Sequence, residues 1–204
     1  PVIEKKSVNN IMTALYAFVV ISFFITIVDI IIRFPLQSEM IDYNDIQAIV
    51  INVLALLIQI VFFAYGFVNA IRGMLSPKRM GAVIVAFFAA TCITGTGNMV
   101  INSNVQIVLW WIVLIIPNIV GAVATFAYFV SGKKSKKYSI IIYLVAIWGM
   151  FRIIYSNYNL IVHANQYLSM NSTVRLVLGI AIHCLVIYQT YVLWIKRQNA
   201  IDIS

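Results

Sequence analysis

The stretch that decides the fold is NIMTALYAFVVISFFITIVDIIIRF, residues 10–34. It is almost entirely apolar, and it is long enough to cross the roughly 30 Å hydrocarbon core of a bilayer as one helix, which takes about 20 residues. The sequence RFPLQSEM at its end, residues 33–40, lacks the small-residue pattern of a signal-peptide cleavage site. We therefore interpret the stretch as a membrane span.

The chain as a whole is also apolar. Hydrophobic residues make up 63% of the 204 residues and charged residues only 10%, whereas a soluble domain carries about 25% charged residues. The mean hydropathy of +0.98 indicates that lipid surrounds most of the chain. We predict an all-α, polytopic integral membrane bundle of six transmembrane helices, forming a single domain over residues 1–204. Its apolar segments lie at 10–32, 46–71, 80–100, 105–130, 138–155 and 174–195.

The third and fifth segments are the weakest of the six. The third fades into TGTGN at 94–98, and the fifth is short for a span. Five spans, with 80–100 entering the membrane without fully crossing it, are therefore an alternative. Helices remain the expected structure, because unpaired backbone groups are costly in lipid.

The 14 Lys and Arg residues are distributed unevenly over the connections. Three lie toward the opposite ends of the spans, at Arg33, Arg152 and Arg175. The other eleven lie near the chain ends and in the second and fourth connections: Lys5, Lys6, Arg72, Lys78, Arg79, Lys133, Lys134, Lys136, Lys137, Lys196 and Arg197. Because Lys and Arg favour the cytoplasmic side, we predict that both termini are cytoplasmic. The net charge of +8 then reflects membrane topology, and we expect no nucleic-acid partner.

Charged residues inside the spans are the most informative candidates for a site, since each is costly at the centre of a bilayer. Asp29 lies near the outer end of the first span, with Arg33 one helical turn further on. Ser22 and Thr26 extend the same stripe, which we expect to face the bundle interior. Arg152 has a similar depth in the fifth span. Asp29 can thus pair with Arg33 or with Arg152, either as a structural ion pair or as part of an outward-facing ligand pocket.

Uncharged polar residues mark a second candidate region. Asn52 and Gln59 are seven residues apart in the second span, between Asp45 and Gly66 on the same face. Asn118 follows Pro117 near the middle of the fourth span, where it can face a cavity or bond the carbonyls that proline leaves free. His183 lies in the middle of the sixth span. Gln59, Asn118 and His183 have broadly similar depths, so they either converge on a ligand path or form separate interhelical hydrogen bonds.

Small residues recur every four positions in the third span, at Ala82, Ala86 and Ala90. Such a stripe lets helix backbones approach closely. It either packs inside the chain, against the small residues around Gly121 in the fourth span, or docks a partner membrane or ATPase subunit. The cytoplasmic basic loops are a second candidate contact for such a subunit.

Catalysis has little support in the sequence, and we favour a function other than an enzyme's. No G-x-S-x-G, H-E-x-x-H, paired carboxylate or phosphate-binding loop occurs. The two histidines, His163 and His183, lie on different segments without a Cys/His spacing typical of metal sites. We therefore predict neither a metal nor another cofactor.

Two function classes fit these features. The first is a transport or ligand-binding membrane component that works with partner subunits. The second is a membrane interaction protein, such as a sensor, an immunity factor or an accessory subunit, that uses its outer loops. The composition, rich in Ile and Asn, fits an AT-rich genome and suggests a bacterial plasma membrane.

The layout of six spans, cytoplasmic termini and an alanine stripe resembles the substrate-binding subunits of energy-coupling-factor transporters. The basic second connection at Arg72, Lys78 and Arg79, together with the long segment before the sixth span, resembles compact ABC-2 export permeases. Neither family's diagnostic motif is present, and a shared layout does not by itself imply a shared function.

Overall fold

The computed structural model is all-helical in class, with helices joined by short turns and no strand among the residues that it describes. It describes the backbone of residues 2–37, 43–101, 109, 111–133, 135–157 and 170–201, and the side chains of 10–28, 47, 50–96, 109, 111–133, 135–157, 173 and 176–196. The helices are α1 (Val2–Gln37), α2 (Tyr43–Ile71), α3 (Pro77–Ile101), α4 (Trp111–Val130), α5 (Lys136–Ser156) and α6 (Met170–Ile201).

Each of the six helices is long and apolar enough to cross a membrane, which confirms the predicted membrane bundle. The third segment is one continuous helix from Pro77 to Ile101 and is long and apolar enough for a full crossing, which favours six spans over the alternative of a partly crossing 80–100 segment. The start of α3 follows ordinary capping rules. Pro77 needs no backbone donor in a first turn, and Ser76 Oγ accepts a hydrogen bond from the Arg79 backbone N–H at 3.3 Å.

The helices form a closed ring in chain order. Each helix contacts the next one along the chain, and α6 returns to contact α1. The connections from α2 to α3 and from α4 to α5 contain only five residues each, so the helices that they join run antiparallel. These turns lie at the same end of the bundle as the start of α1 and the end of α6. We call the half of the bundle that contains these turns, the start of α1 and the end of α6 the terminal half. The opposite half is the distal half.

A glycine ends α2 in the turn that leads to α3. Gly73 has a φ of 65°, a left-handed conformation that glycine adopts without a steric penalty. Its backbone N–H donates to the Ala70 carbonyl at 3.0 Å, and that of Met74 donates to the Asn69 carbonyl at 2.8 Å. This pair of bonds is a Schellman motif, which satisfies the last carbonyls of α2.

Pro117 interrupts the regular hydrogen bonding of α4, which begins and ends in π-helical turns at Trp111–Ile115 and Phe126–Val130. Proline has no N–H to offer the Val113 carbonyl. The indole N–H of Trp148 on α5 donates to that carbonyl instead, at 2.8 Å. The Asn118 amide donates to the next carbonyl, that of Leu114, at 2.6 Å. Side chains thus replace the missing backbone bonds, as a membrane interior requires.

The terminal half has a closely packed centre. Tyr16 is fully buried, and its hydroxyl accepts a hydrogen bond from the fully buried amide of Gln189 on α6. The Tyr16 ring lies against Gly66 of α2, where a Cβ atom would overlap it. Between α3 and α4, the side chain of Phe129 fills the space beside Gly81 in the same way. Glycine therefore allows aromatic side chains to reach the backbone of a neighbouring helix.

The alanine stripe of α3 packs inside the chain. Ala86 and Ala90 are buried and Ala82 is half-buried, so this face is not available to a partner subunit along most of its length. The neighbouring Phe88 is fully buried and reaches Gly121 of α4, where a Cβ atom would lie 3.0 Å from its ring. The small residues of α3 and α4 therefore serve close helix packing within the bundle.

The outer surface of the ring is apolar, as contact with a lipid bilayer requires. Each helix exposes large aliphatic or aromatic side chains, among them Val28, Leu57, Val61, Ile93, Val123, Leu144, Phe151 and Tyr191. Such a continuous apolar surface is far larger than water-soluble proteins present. The chain is therefore a multi-pass membrane protein.

Candidate functional site

A cavity of about 610 Å³ lies in the distal half, among α1, α2, α3, α5 and α6. Much of its wall is apolar, with side chains such as Leu56, Ile153 and Ile182. Its polar lining residues are Thr26, Asn52, Gln59, Thr91, Thr94, Arg152 and His183. Four of the seven residues that the sequence singled out, Asn52, Gln59, Arg152 and His183, thus line one cavity.

The seven-residue spacing on α2 explains how two of these residues reach the cavity. Seven residues are close to two helical turns, so Asn52, Gln59 and Gly66 lie on one face of the helix. Asn52 and Gln59 line the cavity, and Gly66 lies below them against the Tyr16 ring. The predicted polar face of the second span therefore borders the cavity, where Asn52 is exposed and Gln59 is half-buried. Neither amide makes a hydrogen bond to another side chain or carbonyl in the described part of the chain.

His183 on α6 contacts both α3 and α5. Its Nδ1 lies 2.7 Å from the Gly179 carbonyl one turn earlier, and because a carbonyl only accepts, Nδ1 carries the proton. The ring meets Phe87 of α3 edge-on, with 5.1 Å between the ring centroids. Its Nε2 lies against Gly149 of α5, where a Cβ atom would overlap it. Gly149 therefore makes the position of His183 possible, a role that no motif around it had indicated.

Arg152 is the cation of the cavity wall among the described residues. It lies three residues after Gly149 on α5 and is half-buried. No described side chain or carbonyl hydrogen-bonds to its guanidinium. The side chains of all six acidic residues, Glu4, Asp29, Glu39, Asp42, Asp45 and Asp202, lie outside the described set. Pairing of Arg152 with Asp29 therefore stays a prediction.

Three of the predicted site residues do not line the cavity among the described side chains. They are Asp29, Arg33 and Asn118. The backbone of Asp29 and Arg33 belongs to α1, but their side chains are outside the described residues. Asn118 is buried, donates to its own helix at Leu114, and is not among the described residues that line the cavity. Its amide bonds a carbonyl beside the proline break, which agrees with one of its two predicted roles.

Three threonines line the cavity without offering a free proton. Thr26 donates its hydroxyl to the Ser22 carbonyl at 2.9 Å, Thr91 to the Phe87 carbonyl at 2.9 Å, and Thr94 to the Ala90 carbonyl at 3.1 Å. Their oxygens retain lone pairs and can still accept hydrogen bonds. Sequence reasoning placed Thr26 on an inward stripe but missed Thr91 and Thr94, although their i, i+3 spacing indicated a shared face.

An aromatic layer closes the cavity toward the terminal half. Phe23 and Phe87 line it, and Phe63, which is fully buried, contacts both with centroid distances of 5.6 and 6.5 Å. Tyr16 follows below Phe63 at 6.2 Å. We call Phe23, Phe63 and Phe87 the aromatic floor. It separates the polar cavity from the Tyr16–Gln189 pair.

The chain matches no family model, no curated protein and no solved structure. The fold and the cavity are therefore the basis on which a function can be argued.

Proposed function

We propose that this chain is a ligand-binding membrane component of a transport system, and that it receives a small polar molecule in the distal cavity. The observation that carries the proposal is the convergence of Asn52, Gln59, Arg152 and His183 on one cavity from three different helices. Polar side chains in a membrane bundle are costly unless they are paired or serve a function. Here several of them gather around open space.

The dimensions of the cavity support this proposal. Pockets for small ligands commonly enclose about 300–1,000 Å³, with mostly apolar walls and a few polar groups that fix orientation. This cavity has a volume of about 610 Å³ and the same mixture of walls. Asn52, Gln59 and Arg152 make no hydrogen bond to another described group, and the proposed ligand would supply partners for them.

The predicted topology supports an outward-facing cavity. Both termini and the basic turns belong to the terminal half, and the positive-inside rule assigns that half to the cytoplasm. The aromatic floor closes the cavity on that side. A ligand would then enter from outside, and a partner ATPase subunit would supply the energy for its release inward. A bacterial plasma membrane, which the composition suggests, fits this arrangement.

Binding is tested on the purified full-length protein in lipid nanodiscs. The probes fall into five classes: amino acids and dipeptides, monocarboxylates, amines, monosaccharides, and nucleosides. The readout is the midpoint of thermal unfolding. We expect at least one class to raise the midpoint. Gln59→Leu should abolish that rise, whereas Val61→Leu, which changes the exposed lipid face of the same helix, should preserve it. A flat response to every class would overturn the proposal.

The transport partner is tested by affinity purification from native membranes. A stoichiometric nucleotide-binding subunit is the expected companion. A stoichiometric partner without an ATPase would instead favour the interaction protein, whose outer loops would then be essential and whose cavity residues would tolerate Gln59→Leu and His183→Leu.

A further inference from the structure

The polar groups of the distal cavity are divided between its sides. Arg152 on α5 supplies the guanidinium, which only donates hydrogen bonds and stays charged. In the closed ring, α5 lies next to α4 and α6, and so neither α1 nor α3 is its neighbour. The threonines on α1 and α3 therefore face the cavity from other sides than the guanidinium does.

The threonine side of the cavity accepts hydrogen bonds. Thr26, Thr91 and Thr94 each commit their one proton to a carbonyl of their own helix, at 2.9, 2.9 and 3.1 Å. Only lone pairs remain for a ligand. Asn52 and Gln59 lie on α2, which is between α1 and α3 in the ring, and their amides can both donate and accept hydrogen bonds. The cavity therefore offers positive charge at one side and acceptors at the other.

We propose that the ligand is a small zwitterion, with a carboxylate that Arg152 binds and an ammonium group that the threonine oxygens accept. This inference rests on the proposed ligand-binding function and names its substrate class. A guanidinium matches the two oxygens of a carboxylate with parallel hydrogen bonds. An ammonium group carries three donors and no acceptor, which suits oxygens that have no proton to give. The apolar wall at Leu56, Ile153 and Ile182 accommodates the rest of the molecule.

The sequence adds a charge that favours the same polarity. Asp29 is three residues after Thr26 on α1, on the stripe predicted to face the bundle interior. A carboxylate there would strengthen the attraction for an ammonium group at the threonine side. If Asp29 instead paired with Arg152, its carboxylate would compete with the ligand carboxylate for the guanidinium, and the zwitterion would bind more weakly.

The test uses three matched pools of probes with the wild-type protein in nanodiscs. The first contains amino acids and dipeptides with both ends free, the second the same compounds with the carboxylate amidated, and the third the same compounds with the amine acetylated. The compound that gives the largest rise in unfolding midpoint is then titrated beside its two blocked derivatives. We expect the affinity of each derivative to be lower by a factor of about ten or more, because each leaves a charged or polar group of the site unpaired.

Variants assign each end of the ligand to its wall. Arg152→Gln should remove the preference for a free carboxylate, with Arg152→Lys, which keeps the charge, as its matched control. Thr91→Val should weaken discrimination against the acetylated amine, whereas Thr91→Ser keeps the oxygen and should bind as the wild type does. The blocked probes on wild-type protein keep the proposal testable even if an Arg152 variant fails to fold.

The outcomes separate this inference from the proposed function. Equal binding of the amidated pool would show that Arg152 reads no carboxylate, and equal binding of the acetylated pool would show an anion site only. Either result overturns the zwitterion. Binding of sugars, nucleosides or simple acids alone would overturn it as well and leave the ligand-binding function standing. A flat response to every probe class overturns both.

Discussion

The terminal and distal halves of the bundle consist of the same helices, yet their centres are opposite in character. In the terminal half, Tyr16, Gly66 and Gln189 close the space between α1, α2 and α6. In the distal half, Asn52, Gln59 and Arg152 surround a cavity of about 610 Å³. A single face of α2 contributes to both, with Gly66 at the closed level and Gln59 two turns away at the open level.

The difference shows how residue size and polarity decide where a membrane bundle closes. A glycine admits an aromatic ring to the helix backbone, and the contact fills the centre. A long polar side chain allows such an approach only where its amide finds a partner, as that of Gln189 does at the Tyr16 hydroxyl. The terminal half therefore serves stability, and the distal half is where we place binding. This division can be tested by single substitutions.

The largest expected effect is at Gly66 in the closed half. Gly66→Val places a branched side chain where even a Cβ atom overlaps the Tyr16 ring. We expect the free energy of unfolding to fall by about 3 kcal/mol, the upper part of the range for overpacking. Chemical or thermal unfolding in detergent micelles measures the loss. Ala14→Val, on the exposed face of α1, should cost far less, and equal losses would show that the Tyr16 contact is loose.

A somewhat smaller effect is expected at Gly149, which borders the open half. Gly149→Ala brings a Cβ atom onto His183 Nε2, and we expect a loss of about 2 kcal/mol in unfolding free energy. The measurement is a double-mutant cycle. His183→Ala removes the ring and should make Gly149→Ala nearly neutral. A loss that persists in the double variant would place its cause outside the His183 contact.

The hydrogen bond between Tyr16 and Gln189 should contribute less to the free energy of unfolding than the packing of Tyr16 against Gly66 does. Tyr16→Phe leaves the Gln189 amide without its partner, and Gln189 Oε1 already has none among the described residues. We expect a loss of about 1–2 kcal/mol, since an unsatisfied buried amide is costly. Replacing both partners, in Tyr16→Phe with Gln189→Leu, should recover part of that loss. A double variant that is less stable than Tyr16→Phe alone would contradict this account.

The smallest effect on stability is expected at the cavity amides. Gln59→Leu and Asn52→Leu remove side chains that bond no other described group, so the free energy of unfolding should change by no more than about 0.5 kcal/mol. The same thermal unfolding experiment measures it without ligand. A loss above about 1 kcal/mol for either variant would mean that the amides hold the bundle together, and the two halves would then differ less than we propose.

Prediction from sequence succeeded where one periodicity was sufficient. Apolar runs gave the six spans, and the seven-residue repeat gave the inward face of α2 at Asn52 and Gln59. Prediction was less successful where the role of a residue depended on contacts between several helices. Asn118 had two possible roles, and only the position of Trp148 and Leu114 around the proline break showed that its amide serves its own helix.

The amino-acid sequence alone determined that this chain is a helical membrane protein, because the free energy of burying apolar runs in lipid depends on composition and length. It also marked most of the polar side chains that line the cavity. The tertiary structure decided which of them meet. Ring order, the glycines at 66 and 149, and the aromatic floor bring residues from distant segments together or keep them apart. Such contacts depend on how whole helix surfaces fit one another, and no local pattern encodes that fit.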